Sequence, residues 1–338
     1  MDWVLLVVAL FVILGGAELF TNGIEWVGEG FGLSEGVVGS VLAAVGTALP
    51  ETLLPLVAIL LGHEGGEEIG IGAILGAPFM LTTLAMFVLG VAVLLYSRGG
   101  RRDTDLHGDP AVMRQDLGYF LVMYALAVVA GLVHITALNL LLAVVLLVGY
   151  VFYVRRHFKN PGERELESEA RNELKPLYLK RLLRRSSSKI STGQSTAQVA
   201  AALLLMVGGA QLFVGAMETI SHRLGVPALA FSLLVAPVAT ELPEKFNSVL
   251  WVRKRKDTLA LGNMTGAMVF QSSFPVTIGL LLTPWKLEQD ALVAALIALV
   301  AGSVLYLTVR IRGELAGWLL LAQGLFYVGY VVYVVRSL

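Results

Sequence analysis

A chain of 338 residues that is 57% hydrophobic and 15% charged, with a mean hydropathy of +0.77, falls outside the range of soluble domains and reads as a polytopic membrane protein. Its 25 basic residues balance 25 acidic ones, so no net field invites nucleic acid, and the lack of cysteine excludes disulfides, thiolate metal sites and redox motifs. The five histidines fall at or near the ends of apolar runs, which argues against histidine catalysis within the membrane.

Crossing ~30 Å of hydrocarbon takes about 20 residues. Runs of that length lie at 3–28, 34–62, 68–96, 117–133, 135–154, 196–222, 226–252, 257–283, 289–310 and 314–336. The first lacks a basic leader, so it reads as a mature helix and not as a cleaved signal. The stretch 117–154 is too long for one crossing and divides near His134. Between the fifth and sixth runs, 155–195 is polar, with mixed charge from Glu163 to Glu173 and then the basic amphipathic stretch Leu177 to Arg185. That stretch either lies on an anionic inner leaflet or simply holds topology by its charge. The loops after the third, fifth, seventh and ninth runs hold 21 of the 25 Lys and Arg residues, while the loop His63 to Glu68 carries only acidic charge. Alternating helices put those four loops, marked by Arg101, Lys175 and Lys254, on the cytoplasmic face and both termini outside. Each half then contains five crossings, an odd number, so the second enters the membrane inverted. The predicted architecture is an all-α membrane protein of ten transmembrane helices in two inverted five-helix repeats, 1–154 and 196–338, joined by a cytoplasmic linker, 155–195.

The halves also repeat in sequence. At an offset of 193, Gly15-Gly16-Ala17 matches Gly208-Gly209-Ala210, Glu25 matches Glu218, and Gly46-Thr47-Ala48-Leu49-Pro50-Glu51 matches Ala239-Thr240-Glu241-Leu242-Pro243-Glu244. A second element, Gly72 to Ala77, returns as Gly262 to Ala267 at an offset of 190. Polar residues in hydrocarbon are costly and mark function by default. Each proline should interrupt its helix near mid-depth, with the two interruptions facing each other and freeing carbonyls. Freed carbonyl, threonine hydroxyl and glutamate carboxylate together make a ligand set for a hard cation. Glu51, Glu244, Thr47 and Thr240 are therefore candidate metal-ligating residues, and the fifth candidate, Glu241, follows from the resemblance described next. The bland alternative for the threonines is a hydroxyl bonded back to the preceding turn.

These two copies resemble the alpha-repeats of the cation/calcium antiporter superfamily, nearest its sodium/calcium exchanger branch, whose repeats read G-T-S-x-P-E and then G-N-x-x-G-S-[ND]-x-F-N. The resemblance covers most of residues 15–95 and 208–282, with the first element matched well and the second in part. It implies that Glu51 and Glu244 are the two ion-binding glutamates. Departures matter equally. Where the family carries Ser then Asn or Asp, this chain has Ala77-Pro78 and Ala267-Met268, and the serine of the first element becomes Ala48 and Glu241. Glu241 thus replaces charge lost at Met268, unless Lys245, four residues on, pairs with it. The other reading of Lys245 is an ammonium that snorkels to the interface. Glu18 and Asn22 are either a relay or an interhelical hydrogen bond or cap. Asn263, Thr265, Gln271 and Ser272 make the second copy of the second element the more polar one, which predicts an asymmetric site.

The function this implies is secondary antiport by alternating access, exchanging a divalent cation, Ca2+ foremost, for Na+ or H+ in the cell membrane. The partners are the transported cations and the bilayer; no resident cofactor and no enzymatic activity are expected, there being no H-E-x-x-H motif and no ATP-binding P-loop. The alternatives are a proton-coupled or monovalent exchanger and a non-exchanging relative, channel-like or binding.

Overall fold

The computed structural model describes residues 1–31, 43–62, 65–98, 100, 102–133, 135–157, 177–178 and 192–337. The linker between the halves, with Lys175, and Arg101 in the loop after the third run fall mostly or wholly outside them. The first half consists of α1 (Asp2–Gly30), α2 (Ala43–Leu61), α3 (Gly66–Met80), a π turn (Leu81–Ala85), α4 (Met86–Ser97), α5 (Pro110–Val133) and α6 (Thr136–His157). The second consists of α7 (Thr192–Leu224), α8 (Ala228–Thr240), α9 (Leu242–Arg253), α10 (Asp257–Gln271), α11 (Phe274–Leu282), α12 (Gln289–Arg312) and α13 (Gly317–Ser337). A two-residue antiparallel pair, β1 (Asp105–Leu106) with β2 (Leu315–Ala316), completes the described structure. Among the described residues, 8 helical stretches are long and apolar enough to cross a bilayer, and Ala48–Leu61 and Ala228–Thr240 are shorter apolar helices.

Chain chemistry explains where helices stop. Pro275 and Pro243 return no N–H to the turn before them, and each stands near the start of a new helix, α11 and α9. At the first of these breaks Ser273 Oγ donates to Val269 O at 2.7 Å, and at the other the N–H groups of Glu244 and Lys245 both turn to Glu241 O. In the first half the equivalent of the Ser272–Ser273 break is only the π turn after Pro78. The expected interruption at Pro50 does not occur. Helix α2 runs unbroken through both Pro50 and Pro55, because each proline removes a single backbone donor and the flanking turns hold the backbone helical. Helix α5 starts at Pro110, before the expected 117, with Asp109 Oδ1 capping Ala111 N at 2.8 Å.

Helices α1 and α7 pack along their length through reciprocal contacts. A Cβ at Gly16 would stand 2.6 Å from Met206 Cγ, and one at Gly209 would stand 3.0 Å from Ile13 Cγ1. At the offset of 193, Gly16 maps to Gly209 and Ile13 to Met206, so each contact is the image of the other. Helices α3 and α8 approach even more closely, with Gly72 and Gly76 against the backbone of Leu229 and Leu233 and Ser232 Oγ donating to Ile69 O at 2.6 Å. The main core lies beside this pair, around Phe79, Phe120, Tyr124, Trp285 and Tyr330.

The loops segregate to two ends. At one, Arg102 donates to Val252 O at 2.7 Å and to Asp257 Oδ2 at 3.0 Å, β1 pairs with β2, and His107 Nδ1 lies 3.0 Å from Glu314 Oε2. The described parts of the loops after the third, seventh and ninth runs thus meet at one end, as their expected placement on a common face requires. At the other end Asp2 pairs with Arg223, and a cavity of about 330 Å³ opens among Glu67, Glu68, Lys286 and Glu288, floored by the buried Ile71 and Leu229.

Candidate functional site

Helix α2 carries Glu51 and meets α3 and the C-terminal end of α8, where the chain turns at Glu241. Between them lies a cavity of about 10 Å³, enough for one water-sized particle. Glu51, Leu54 and Pro55 line it from α2, Ala73 and Ala77 from α3, and Ala236, Pro237, Thr240 and Glu241 from the second half. It is therefore built by both repeats. Pro50 and Pro55 leave two carbonyls of α2 without helical donors, and Pro243 does the same for Ala239.

Of the five candidate residues, Glu51, Thr240 and Glu241 line this cavity together. Glu244 does not line it and is partly exposed, yet it is within electrostatic reach of Glu51 and Glu241. The side chain of Thr47 lies outside the described residues. Thr240 Oγ1 donates to Ala236 O at 3.1 Å, the back-bonded form, which leaves lone pairs of the hydroxyl oxygen still available. Glu241 is the unusual group. It is 0% exposed, and neither carboxylate oxygen has a hydrogen-bond partner. A buried carboxylate in that condition demands a compensating positive charge.

Lys245 does not snorkel, being 5% exposed, and it does not close the spacing-based pair either, since both Glu241 oxygens are unpartnered. Its ammonium is within electrostatic reach of Glu51, Glu241 and Glu244. Among the described residues no three His, Asp or Glu side chains converge tightly enough to form a metal cluster.

The polar second copy of the second element does not reach the cavity. Asn263 Nδ2 donates to Ser248 Oγ at 2.9 Å, and Thr265 Oγ1 donates to Asp116 Oδ2 at 2.6 Å. The site is asymmetric, but its second-element wall is the apolar first copy, Ala73 and Ala77. Met268 is packed in the core. Asp116 itself escapes sequence reasoning because it stands one residue before the expected start of the fourth run; it is fully buried and also accepts from Tyr153 Oη at 3.0 Å. Asn22 takes the interhelical role, accepting from Gln198 Nε2 of α7 at 3.0 Å, whereas Glu18 accepts from Tyr178 Oη of the linker at 2.7 Å.

Comparison with known proteins gives the family and the fold. The family described as "Sodium/calcium exchanger protein" matches residues 1–158 and 194–336. The "Putative antiporter CaxA" of Alkalimonas amylolytica is 25% identical over 341 aligned residues, covering 96% of this chain and 98% of the relative. Among solved structures, the H+/Ca2+ exchanger CAX superposes with a TM-score of 0.67 at 14% identity, over 99% of this chain and 86% of that one. The sodium-calcium exchanger NCX_Mj gives 0.54 at 20% identity, over 98% and 97%. With the family match spanning both halves and the fold shared with solved exchangers, the chain belongs to the sodium/calcium exchanger protein family.

Proposed function

We propose that the protein is a secondary antiporter that exchanges a divalent cation, Ca2+ foremost, for monovalent cations through the cavity between the two repeats. The observation that carries this reading is Glu241, a buried carboxylate with two unpartnered oxygens that lines a space of one small ion together with Glu51 and Thr240. Two or three full negative charges can hold either one divalent ion or several monovalent ones, which is the physical basis of exchange at a single site. Ala73 and Ala77 give the cavity no oxygen. That shortage weakens Na+, which depends on many neutral oxygens, more than a divalent ion held by carboxylates, so H+ is the leading counter-ion and Na+ the second reading.

The division into repeats 1–154 and 196–338, ten crossings, both termini extracytoplasmic and residence in the cell membrane belong to the same proposal. The reciprocal Gly16 and Gly209 contacts and the joined basic loops support it. The decisive experiment is flux into proteoliposomes with Ca2+, Mg2+ or Mn2+ on one side and a pH or Na+ gradient on the other. We expect pH-driven Ca2+ uptake, lost at least ~100-fold in Glu51→Gln, since neutral oxygens cannot replace a charged ligand. Equal uptake by Glu51→Gln would sink the site assignment, and no gradient-dependent divalent flux in wild type would sink the exchange reading.

A further inference from the structure

We propose that Pro55 turns the backbone carbonyl of Glu51 into a neutral oxygen ligand of the transported divalent ion, so that Glu51 offers the site both its carboxylate and its main-chain oxygen. This rests on the exchange reading above and adds to the same site a ligand and the residue that positions it.

In a regular helix the C=O of one residue accepts from the N–H four residues on. Residue 55 is a proline and has no N–H, so the Glu51 carbonyl lacks that donor although α2 continues to Leu61. Among the described residues no side chain donates to it instead. A helical carbonyl points along the axis toward the residue four places on, which lies on the same face. Glu51 and Pro55, with Leu54 between them, all line the cavity of about 10 Å³. The unmade bond between Glu51 and Pro55 therefore lies on the cavity side of α2. A buried carbonyl without a donor is costly until a cation or a water meets it.

The cavity has use for such an oxygen. A Ca2+ ion takes roughly 6–8 oxygen ligands. The carboxylates of Glu51 and Glu241 and the Thr240 hydroxyl fall short of that number, and Ala73 and Ala77 add nothing. The device is confined to the first repeat. At the offset of 193 Pro55 maps to Ser248, which keeps its N–H within α9 for the carbonyl of Glu244, and Glu244 does not line the cavity.

The test compares two replacements of Pro55 that share a methyl side chain. Pro55→Ala restores the N–H and lets it close on the Glu51 carbonyl, whereas L-lactate incorporated at position 55 places an ester oxygen there and leaves the carbonyl free. Pro55→Val, nearer to proline in volume, carries the same N–H as alanine and repeats the measurement should Pro55→Ala fail to fold. Ca2+ uptake into proteoliposomes under a pH or Na+ gradient gives KM and maximal rate, and thermal unfolding without Ca2+ gives stability. Pro55→Ala and Pro55→Val should raise the KM for Ca2+ by about 10-fold or more through the lost ligand. Their thermal midpoints should be unchanged or higher, because a proline has left a helix interior. The lactate protein should stay close to wild type in KM. A wild-type KM in the alanine and valine variants, or a rise that the lactate protein shares equally, overturns the proposal and leaves exchange intact. Absence of gradient-dependent Ca2+ flux in wild type overturns the exchange reading and this ligand with it.

Discussion

Asp116 and Glu241 are both fully buried carboxylates, and their surroundings differ. Asp116 accepts hydroxyl hydrogen bonds from Thr265 and Tyr153, so its charge is met by fixed dipoles, whereas Glu241 has no donor at all. Removing the first should therefore cost stability. Asp116→Ala removes the shared acceptor of the Tyr153 and Thr265 hydroxyls, while Thr265 retains Leu261 O at 3.1 Å. The expected loss is about 1–3 kcal/mol, read as a lowered thermal midpoint, with Asp116→Asn losing less because it retains an acceptor. An unchanged midpoint in Asp116→Ala would show that the network contributes nothing. Sequence reasoning found Glu51, Glu241 and Glu244 because they stand in a repeated motif inside apolar runs. It missed Asp116 because a lone acid at the edge of a run cannot be told from a loop residue.

At the scale of elements, the duplicated proline does not have duplicated effects. Pro243 accompanies a break and Pro50 does not, since a proline removes one hydrogen bond and the neighbouring turns decide whether the helix survives. Helix positions were legible from hydropathy, but π turns, breaks within a run and the early start of α5 depend on packing and capping that hydropathy does not encode. The glycines of the second element diverge in the same way. A Cβ at Gly76 would lie 2.9 Å from Leu233 Cα and C, in backbone that cannot move aside alone, whereas one at its counterpart Gly266 would meet only Tyr153 Oη at 3.6 Å. Gly76→Ala should therefore push α3 from α8 and destabilise by about 1–3 kcal/mol, as overpacking does. Gly266→Ala should be neutral or stabilising by up to ~1 kcal/mol through the helix preference of Ala over Gly. Thermal unfolding of the two variants side by side checks this; equal behaviour would mean the close approach of α3 and α8 is not tight.

For the molecule as a whole, the loops joined by Arg102, β1 and β2 form one end and the acidic cavity near Glu67 the other. In the orientation proposed above, the Lys and Arg residues of the joined loops put that end in the cytoplasm. A single cysteine at Lys254 should then resist an impermeant maleimide in intact cells, and one at Glu67 should react. The opposite labelling pattern would invert the molecule. Because the native chain has no cysteine, no background substitutions are needed. The loop alternation was legible in the basic residues alone, whereas the contact between halves had to await the packing of Gly16 and Gly209.

The Arg102 contacts have one more consequence. They run from the first half, at Arg102, to Val252 and Asp257 in the second, and the strand pair does the same from Asp105 and Leu106 to Leu315 and Ala316. With α1 against α7 and α3 against α8, the halves hold extensive contact surfaces besides their covalent link. Fragments ending at His157 and beginning at Leu177, co-expressed as separate polypeptides, should therefore find one another in the membrane and co-purify through a tag on either. If they do not, the tether is part of the assembly mechanism. If they do, the molecule is in effect a heterodimer of its own two halves, and each can be mutated, labelled or exchanged independently of the other.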